Sequence, residues 1–219
     1  MAGPGVTAIA GGGDAVRLER ELEALAASAT AILSSGLAGA LDPELKVGDV
    51  VIGTVARPSP HAGEGSDGVP SVILMDRLAR LASFARRGLV FGSDTPVASG
   101  AEKAALHRNT GAMAIDMESH VAARVAARHG LPFAAVRVIS DAADATLPPA
   151  ALAGMRPDGG IAIGAILVSL ARDPGQIPAL IRTARDADTA FRALGRLHDM
   201  LRGFGIGRLD PRQLAFDVT

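Results

Sequence analysis

Residues 112–149 read AMAIDMESHVAARVAARHGLPFAAVRVISDAADATLPP. They spell a strand, a helix and a second strand, with an acidic residue at the exit of each strand. Ala112–Ile115 is a short apolar run that gives way at once to Asp116, Met117 and Glu118. From Ser119 to His129 the alanines favour a helix, Val121 and Val125 fall four apart on one face, and Gly130 ends it. Phe133–Ile139 is apolar and β-branched apart from Arg137, the pattern of a strand covered on both faces. It ends in Ser140-Asp141. Ligands of open α/β sheets bind beyond the carboxyl ends of strands, so these two exits are expected to bring Glu118 and Asp141 to one crevice. An arginine inside a buried strand needs an anion beside it, and Asp116 is the nearest candidate.

Composition narrows the class. The 219 residues suit one domain, expected to span residues 1–219 with about 151–219 as a helical extension. Hydrophobic residues make up 48% of the chain, with no Trp or Tyr, which suits a core of small aliphatics. A net charge of −1 argues against a nucleic-acid partner. The absence of Cys excludes disulfides, thiolate metal sites and a cysteine nucleophile, and fits a cytoplasmic protein. The N-terminus MAGPGVTAIAGGG lacks a basic region and a long apolar run, so no secretory signal is expected. Nor is a membrane span, since no run of about 20 apolar residues occurs.

In chain order, Val6–Ala10 reads as a strand running into Gly11-Gly12-Gly13-Asp14, and a helix follows over Ala15–Ala27. Thr30–Ser34 reads as the next strand, opening into a glycine-rich loop, Ser35-Gly36-Leu37-Ala38-Gly39, and a Lys46-Val47-Gly48-Asp49 turn. Val50–Ala56 is a strand, and residues 57–70 are rich in Gly, Pro and Ser and read as a mobile loop. His61 and Glu64 in that loop lack partners at metal-ligand spacing. Ile73–Arg87 reads as an amphipathic helix with a basic end capped by Gly88. Leu89–Phe91 is a strand, leading through Gly92-Ser93-Asp94-Thr95-Pro96-Val97 to a short helix at Ala101–Asn109. Ile161–Ala171 is apolar almost all round and reads as a buried helix; Ile181–Phe204 reads as a long one. His120 and His129 are read as helix-surface residues.

Asp-Met-Glu opening a helix, followed by an apolar strand ending Ile-Ser-Asp, resembles the superfamily of purine nucleoside phosphorylases and methylthioadenosine/adenosylhomocysteine nucleosidases. The resemblance runs from about Ile9 to about Ala150 and is greatest to the hopanoid-associated phosphorylase branch, which releases adenine from adenosylhopane. It implies a three-layer α/β/α sandwich around a central mixed, mostly parallel sheet, here with extra C-terminal helices. It implies a homo-oligomer and a purine nucleoside substrate with a hydrophobic 5′ substituent, with no metal and no cofactor, phosphate or water being the acceptor. Leu37 and Ser34 stand where the superfamily's phosphate loop usually has Ser and Arg, which leans towards water. Pro96 stands where an aromatic usually stacks on the base. The superfamily's early-strand Glu, which activates water, has no counterpart here, and a first strand is expected to be missing; turnover by the chain as written is therefore expected to be impaired.

Breaking a purine N-glycosidic bond leaves positive charge on the ribose and negative charge on the base, so an acid at N7 eases the departure. The resemblance gives that role to Asp141. It gives Glu118 the ribose hydroxyls and the sugar's developing charge. Met117 is implied to pack on the sugar, with Asp116, Ser140, Gly36, Asp94 and Val97 completing the substrate site. Singly, a Glu at a helix N-terminus serves the dipole and a Ser-Asp after a strand makes a turn; together with the glycine turn they favour chemistry. The alternatives are a methylthioadenosine/adenosylhomocysteine nucleosidase and a non-catalytic nucleoside-binding protein. A nicotinamide oxidoreductase would need a phosphate fingerprint and a following acid that Gly11–Gly13 do not supply.

Overall fold

The structure is a computed structural model and describes residues 5–12, 14–56, 72–154 and 162–203. The expected loop at 57–70, with His61 and Glu64, lies outside them. Five strands, β1 (Ile32–Ala40), β2 (Val50–Ala56), β3 (Arg86–Gly92), β4 (Ala114–Asp116) and β5 (Phe133–Asp141), alternate with helices α1 (Ala15–Ala26), α2 (Val72–Leu81), α3 (Gly100–Thr110) and α4 (Ser119–Arg128). Helices α5 (Pro149–Gly154), α6 (Ile163–Arg172) and α7 (Ile177–Gly203) follow.

The sheet is mixed. β1–β5, β2–β3 and β3–β4 pair in parallel, while β1–β4 and β2–β5 pair antiparallel. It departs from the expected open layer between two helical ones, because its strands close into a barrel in the order β1-β4-β3-β2-β5. The sheet curls around α4, which touches β1, β2, β3 and β5. Closure gives every strand a neighbour on each side, although β1 meets β4 only at Gly39 and Ala40. Such tight curvature needs small residues: a Cβ on Gly53 of β2 would lie 1.6 Å from the carbonyl oxygen of Gly88 on β3.

β5 is buried on both faces, as its sequence implies. Phe133, Ala135 and Ile139 pack in one core with Ala122, Val125 and Ala126 of α4. Ala134, Val136 and Val138 pack in a second core with Leu74 and Leu78 of α2 and Ala190, Leu197 and Leu201 of α7. Arg137 alternates onto the α4 face and is 1% exposed. Its guanidinium pairs with the Asp116 carboxylate, also buried, and donates to Ser34 Oγ at 2.5 Å. The pair bridges β5 and β4 across β1, over Gly36, where a Cβ would stand 3.3 Å from Arg137 Nη1.

Several boundaries differ from the sequence reading. Val6–Ala10 is not a ladder strand; only Val6 makes a bridge. Arg17 instead donates to the Ala10 and Gly11 carbonyls at 3.1 and 3.2 Å. The glycine-rich stretch after Ser34 is strand, because β1 pairs with β5 along its whole length; its glycines let Arg137 and Asp141 pass over the backbone. α2 stops at Leu81, and Arg86 and Arg87 begin β3, where they meet Glu44 and Asp76. Pairing with β2 overrides the local helical pattern, and Gly88 serves the ladder rather than a cap. α6 has no buried residue; Ile163, Leu167 and Val168 are 66%, 61% and 52% exposed because the helix packs chiefly on α5. Among the described residues no helix is long and apolar enough to cross a membrane.

The buried Arg137–Asp116 pair gives the first prediction. Asp116→Asn keeps an acceptor for Ser119 and leaves the guanidinium uncompensated, so urea unfolding should show a loss of about 3–5 kcal/mol. Adding Arg137→Met should recover most of that loss.

Candidate functional site

β3 and β4 run parallel and finish level, Gly92 opposite Asp116. Loop 93–97 and the Met117-Glu118 corner therefore leave the sheet together. Asp116 makes that corner: its Oδ1 accepts from Ser119 N at 3.2 Å and Ser119 Oγ at 2.5 Å, fixing the first turn of α4. Its other oxygen belongs to Arg137, so Asp116 is a structural anchor of the site. Glu118 is the residue preceding α4, and its side chain makes no capping bond to the helix. Its Cγ would lie 3.0 Å from a Cβ on Gly11, so the segment before α1 forms a wall against it. Met117 is half-buried beside it.

Asp141 arrives by another route. β5 runs against β4, so their carboxyl ends do not lie at one end of the sheet, as the strand-exit argument implied. Gly39 of β1 stands between them, opposite Ile115 on one side and Asp141 on the other. Two strand spacings, about 10 Å, separate Ile115 and Asp141 across it. The β1–β5 register shifts here, from Ala38 opposite Ile139 to Gly39 opposite Asp141, leaving Ser140 as the extra residue of a bulge. Bulges of this kind re-aim the next side chain. Ser140 Oγ lies 2.8 Å from Asp141 Oδ1 and 3.2 Å from the Ala38 carbonyl oxygen. A Cβ on Gly39 would sit 3.0 Å from Asp141 Oδ2, so the carboxylate lies over bare backbone.

The partner of Asp141 was not foreseen. Lys103 of α3 is fully buried, and its ammonium pairs with Asp141 Oδ2. It also donates to the carbonyls of Ala142 at 2.9 Å and Ala145 at 3.1 Å. No local signal marks it, since the partner lies far along the chain and becomes adjacent only through folding. α3 starts with a capping box, Ser99 with Glu102, and so continues directly from loop 93–97. That loop is stitched to the one after Asp141: Leu147 N donates to the Ala98 carbonyl at 2.9 Å, and a Cβ on Gly100 would lie 2.8 Å from the Asp144 carbonyl oxygen.

Val97 packs against an apolar floor of Leu41, Phe91, Ala112 and Ile115. Asp94 is exposed, and its Oδ1 is 2.9 Å from His120 Nε2. His120 is 3% exposed, contrary to its reading as a surface residue, because its ring packs on Gly92. His129 keeps to the outside and meets Glu23. The stretch that resembles a phosphate loop is committed inward: Ser34 to Arg137, Leu37 to the α7-side core, and Ser35 to His198 Nε2 at 2.8 Å. Gly36 lies under Arg137. Among the described residues no group of three or more His, Asp or Glu side chains is arranged to hold a metal ion.

The family model of the Phosphorylase superfamily matches residues 12–171. A crystal structure of a protein assigned as a methylthioadenosine nucleosidase, from Weissella paramesenteroides, is 31% identical over 60% of this chain and 65% of its own, with a TM-score of 0.51. The 5′-methylthioadenosine/S-adenosylhomocysteine nucleosidase of Colwellia psychrerythraea, solved with adenine, is 22% identical over 60% of this chain and 61% of its own, with a TM-score of 0.51. The nucleosidase of the same name from Helicobacter pylori, solved with butyl-thio-DADMe-Immucillin-A, is 21% identical over 85% of this chain and 74% of its own, with a TM-score of 0.53. The chain thus spans less than two thirds of the length of the first two.

His198 yields a prediction on stability. Burial of its ring against β1, helped by the Arg202 charge, holds its pKa below the ordinary 6.5. The unfolded chain therefore binds the proton more readily. The contribution is full above pH 6.5 and is lost as the pH falls from there through the folded-state value. Thermal unfolding should show the melting temperature dropping between pH 7 and pH 5, with a shallower drop in His198→Gln.

Proposed function

The chain belongs to the Phosphorylase superfamily, and on that premise we propose that it cleaves the N-glycosidic bond of a purine nucleoside and releases adenine. The observation that carries the reading is the placement of Asp141. A bulge aims its carboxylate over Gly39, and Ser140 and Lys103 hold its two oxygens beside the stitched loops 93–99 and 142–147. In the proposed reaction the C1′–N9 bond breaks with its electron pair moving to the base. A protonated Asp141 gives its proton to purine N7, so the base leaves neutral. Glu118 accepts hydrogen bonds from the ribose hydroxyls and offsets the positive charge that grows on the sugar. Met117 packs on the sugar, while Val97, backed by the buried apolar floor beneath it, faces the base. With no aromatic at Pro96, base binding rests on this apolar wall and on the polar groups of loop 93–97.

We take water as the acceptor. Ser34, Ser35 and Leu37 are engaged within the fold, which supports hydrolysis over phosphorolysis. Water oxygen bonds to C1′ and its surplus proton passes to solvent, from which Asp141 is reprotonated, giving the free sugar and adenine. The nucleoside we favour carries an apolar 5′ substituent, with adenosylhopane and methylthioadenosine as the two substrates to compare.

Adenine release from both nucleosides, with and without phosphate, tests the proposal. The expected result is phosphate-independent release that falls about 100- to 10,000-fold in kcat in Asp141→Asn, with little change in KM. Tight adenine binding by a folded protein that releases none from either nucleoside would instead mark a nucleoside-binding protein.

A further inference from the structure

We propose that Lys103 is a positioning residue that makes Asp141 a competent proton donor and couples it to the loops around the base; the inference rests on the cleavage reading above. A fully buried ammonium is retained only when its charge and its three protons are all met. Lys103 meets them with one carboxylate oxygen, Asp141 Oδ2, and two carbonyls of the loop that follows, Ala142 and Ala145. None of these groups is on α3, so the cation's whole bonding capacity is spent on the strand end that carries the acid.

The chemistry gives that placement a consequence. As Asp141 hands its proton to the departing base, negative charge grows on its carboxylate, and Lys103 sits where that charge appears. A fixed cation in a site shielded from water lowers the cost of the transfer without rearranging. The proton passes from Asp141 oxygen to purine N7; Lys103 keeps its own protons and stabilises the carboxylate left behind. Among the described residues Asp141 pairs with one charged group, Lys103 of α3, and Asp144 in its own loop is exposed. β1 presents Gly39 to it and no charge.

A second consequence is mechanical. α3 continues from loop 93–97, and Leu147 and Gly100 clamp the two loops together. The clamp holds Lys103 in register with the strand end, so the cation keeps its place on Asp141 Oδ2 beside the base-side loop.

The test compares wild type, Lys103→Gln, Lys103→Arg and the double variant Lys103→Gln with Asp141→Asn in adenine release from the better substrate, with folding checked by circular dichroism. Lys103→Gln should lower kcat about 10- to 100-fold and leave KM within a few fold. Lys103→Arg keeps the cation and should restore part of kcat. On top of Asp141→Asn, Lys103→Gln should cost less than about threefold more, because its effect acts through the acid. If Lys103→Gln does not fold, the arginine variant decides: a loss through KM with kcat unchanged overturns the proposal. It is equally overturned if folded Lys103→Gln keeps the wild-type kcat, loses activity through KM alone, or adds its full loss to that of Asp141→Asn. Wild type that releases no adenine overturns the cleavage reading itself and this role with it, whereas an active wild type with an unchanged kcat in Lys103→Gln strikes Lys103 alone.

Discussion

The ion pair between Arg137 and Asp116 is the constraint on which the rest of the molecule turns. It places two opposite charges, each almost wholly buried, in the middle of a sheet of small aliphatic side chains. Such a pair is costly to desolvate and stabilises only when its hydrogen bonds are complete. Here they extend to Ser34 on β1 and Ser119 on α4, so one network touches three strands and a helix. It fixes where β4 ends and α4 begins, and so where Met117 and Glu118 stand. Gly36 is part of the same arrangement, since any side chain there would press on the guanidinium.

A second charged pair, Lys103 with Asp141, is built on different terms. Arg137 and Asp116 are both sealed in, whereas the Asp141 side chain keeps 16% of its surface accessible while Lys103 keeps none. The first pair has both partners closed off from solvent and braces the fold. The second has one partner anchored and the other partly open to solvent, the asymmetry that the proposed proton transfer from Asp141 needs. The bulge at Ser140 separates the two behaviours: before it, β5 alternates into two cores, and after it the strand turns its acid to the rim.

Much of this was legible in the sequence where local pattern and tertiary need agree. β2 spans the residues its apolar run suggests, α4 lies within its alanine-rich stretch, and the lone arginine of β5 pointed to Asp116. Reading failed where partners distant in sequence decide. The stretch after Ser34 has the composition of a loop and becomes strand because β5 pairs along all of it. Arg86 and Arg87 suit a helix end, yet β2 draws them into a ladder. Lys103 carries no mark at all on a helix with little amphipathic character, and only its three acceptors reveal it. The apolar run of α6 implied burial, and the fold leaves it uncovered among the described residues.

The position of β1 has a consequence for how the chain comes into being. β1 lies between β4 and β5, the two strands that carry the acidic groups, and both follow it in the sequence beyond α3. During synthesis it therefore leaves the ribosome with neither neighbour made, and waits with both edges open while β2, α2, β3 and α3 emerge. The late β4–α4–β5 unit, for its part, cannot knit its own two strands together, because the slot between them belongs to a segment already made. Assembly is an insertion: the newest strands close on an old one. The glycines of β1 suit it to that wait, since a strand so poor in large side chains offers stray chains little apolar surface to grip.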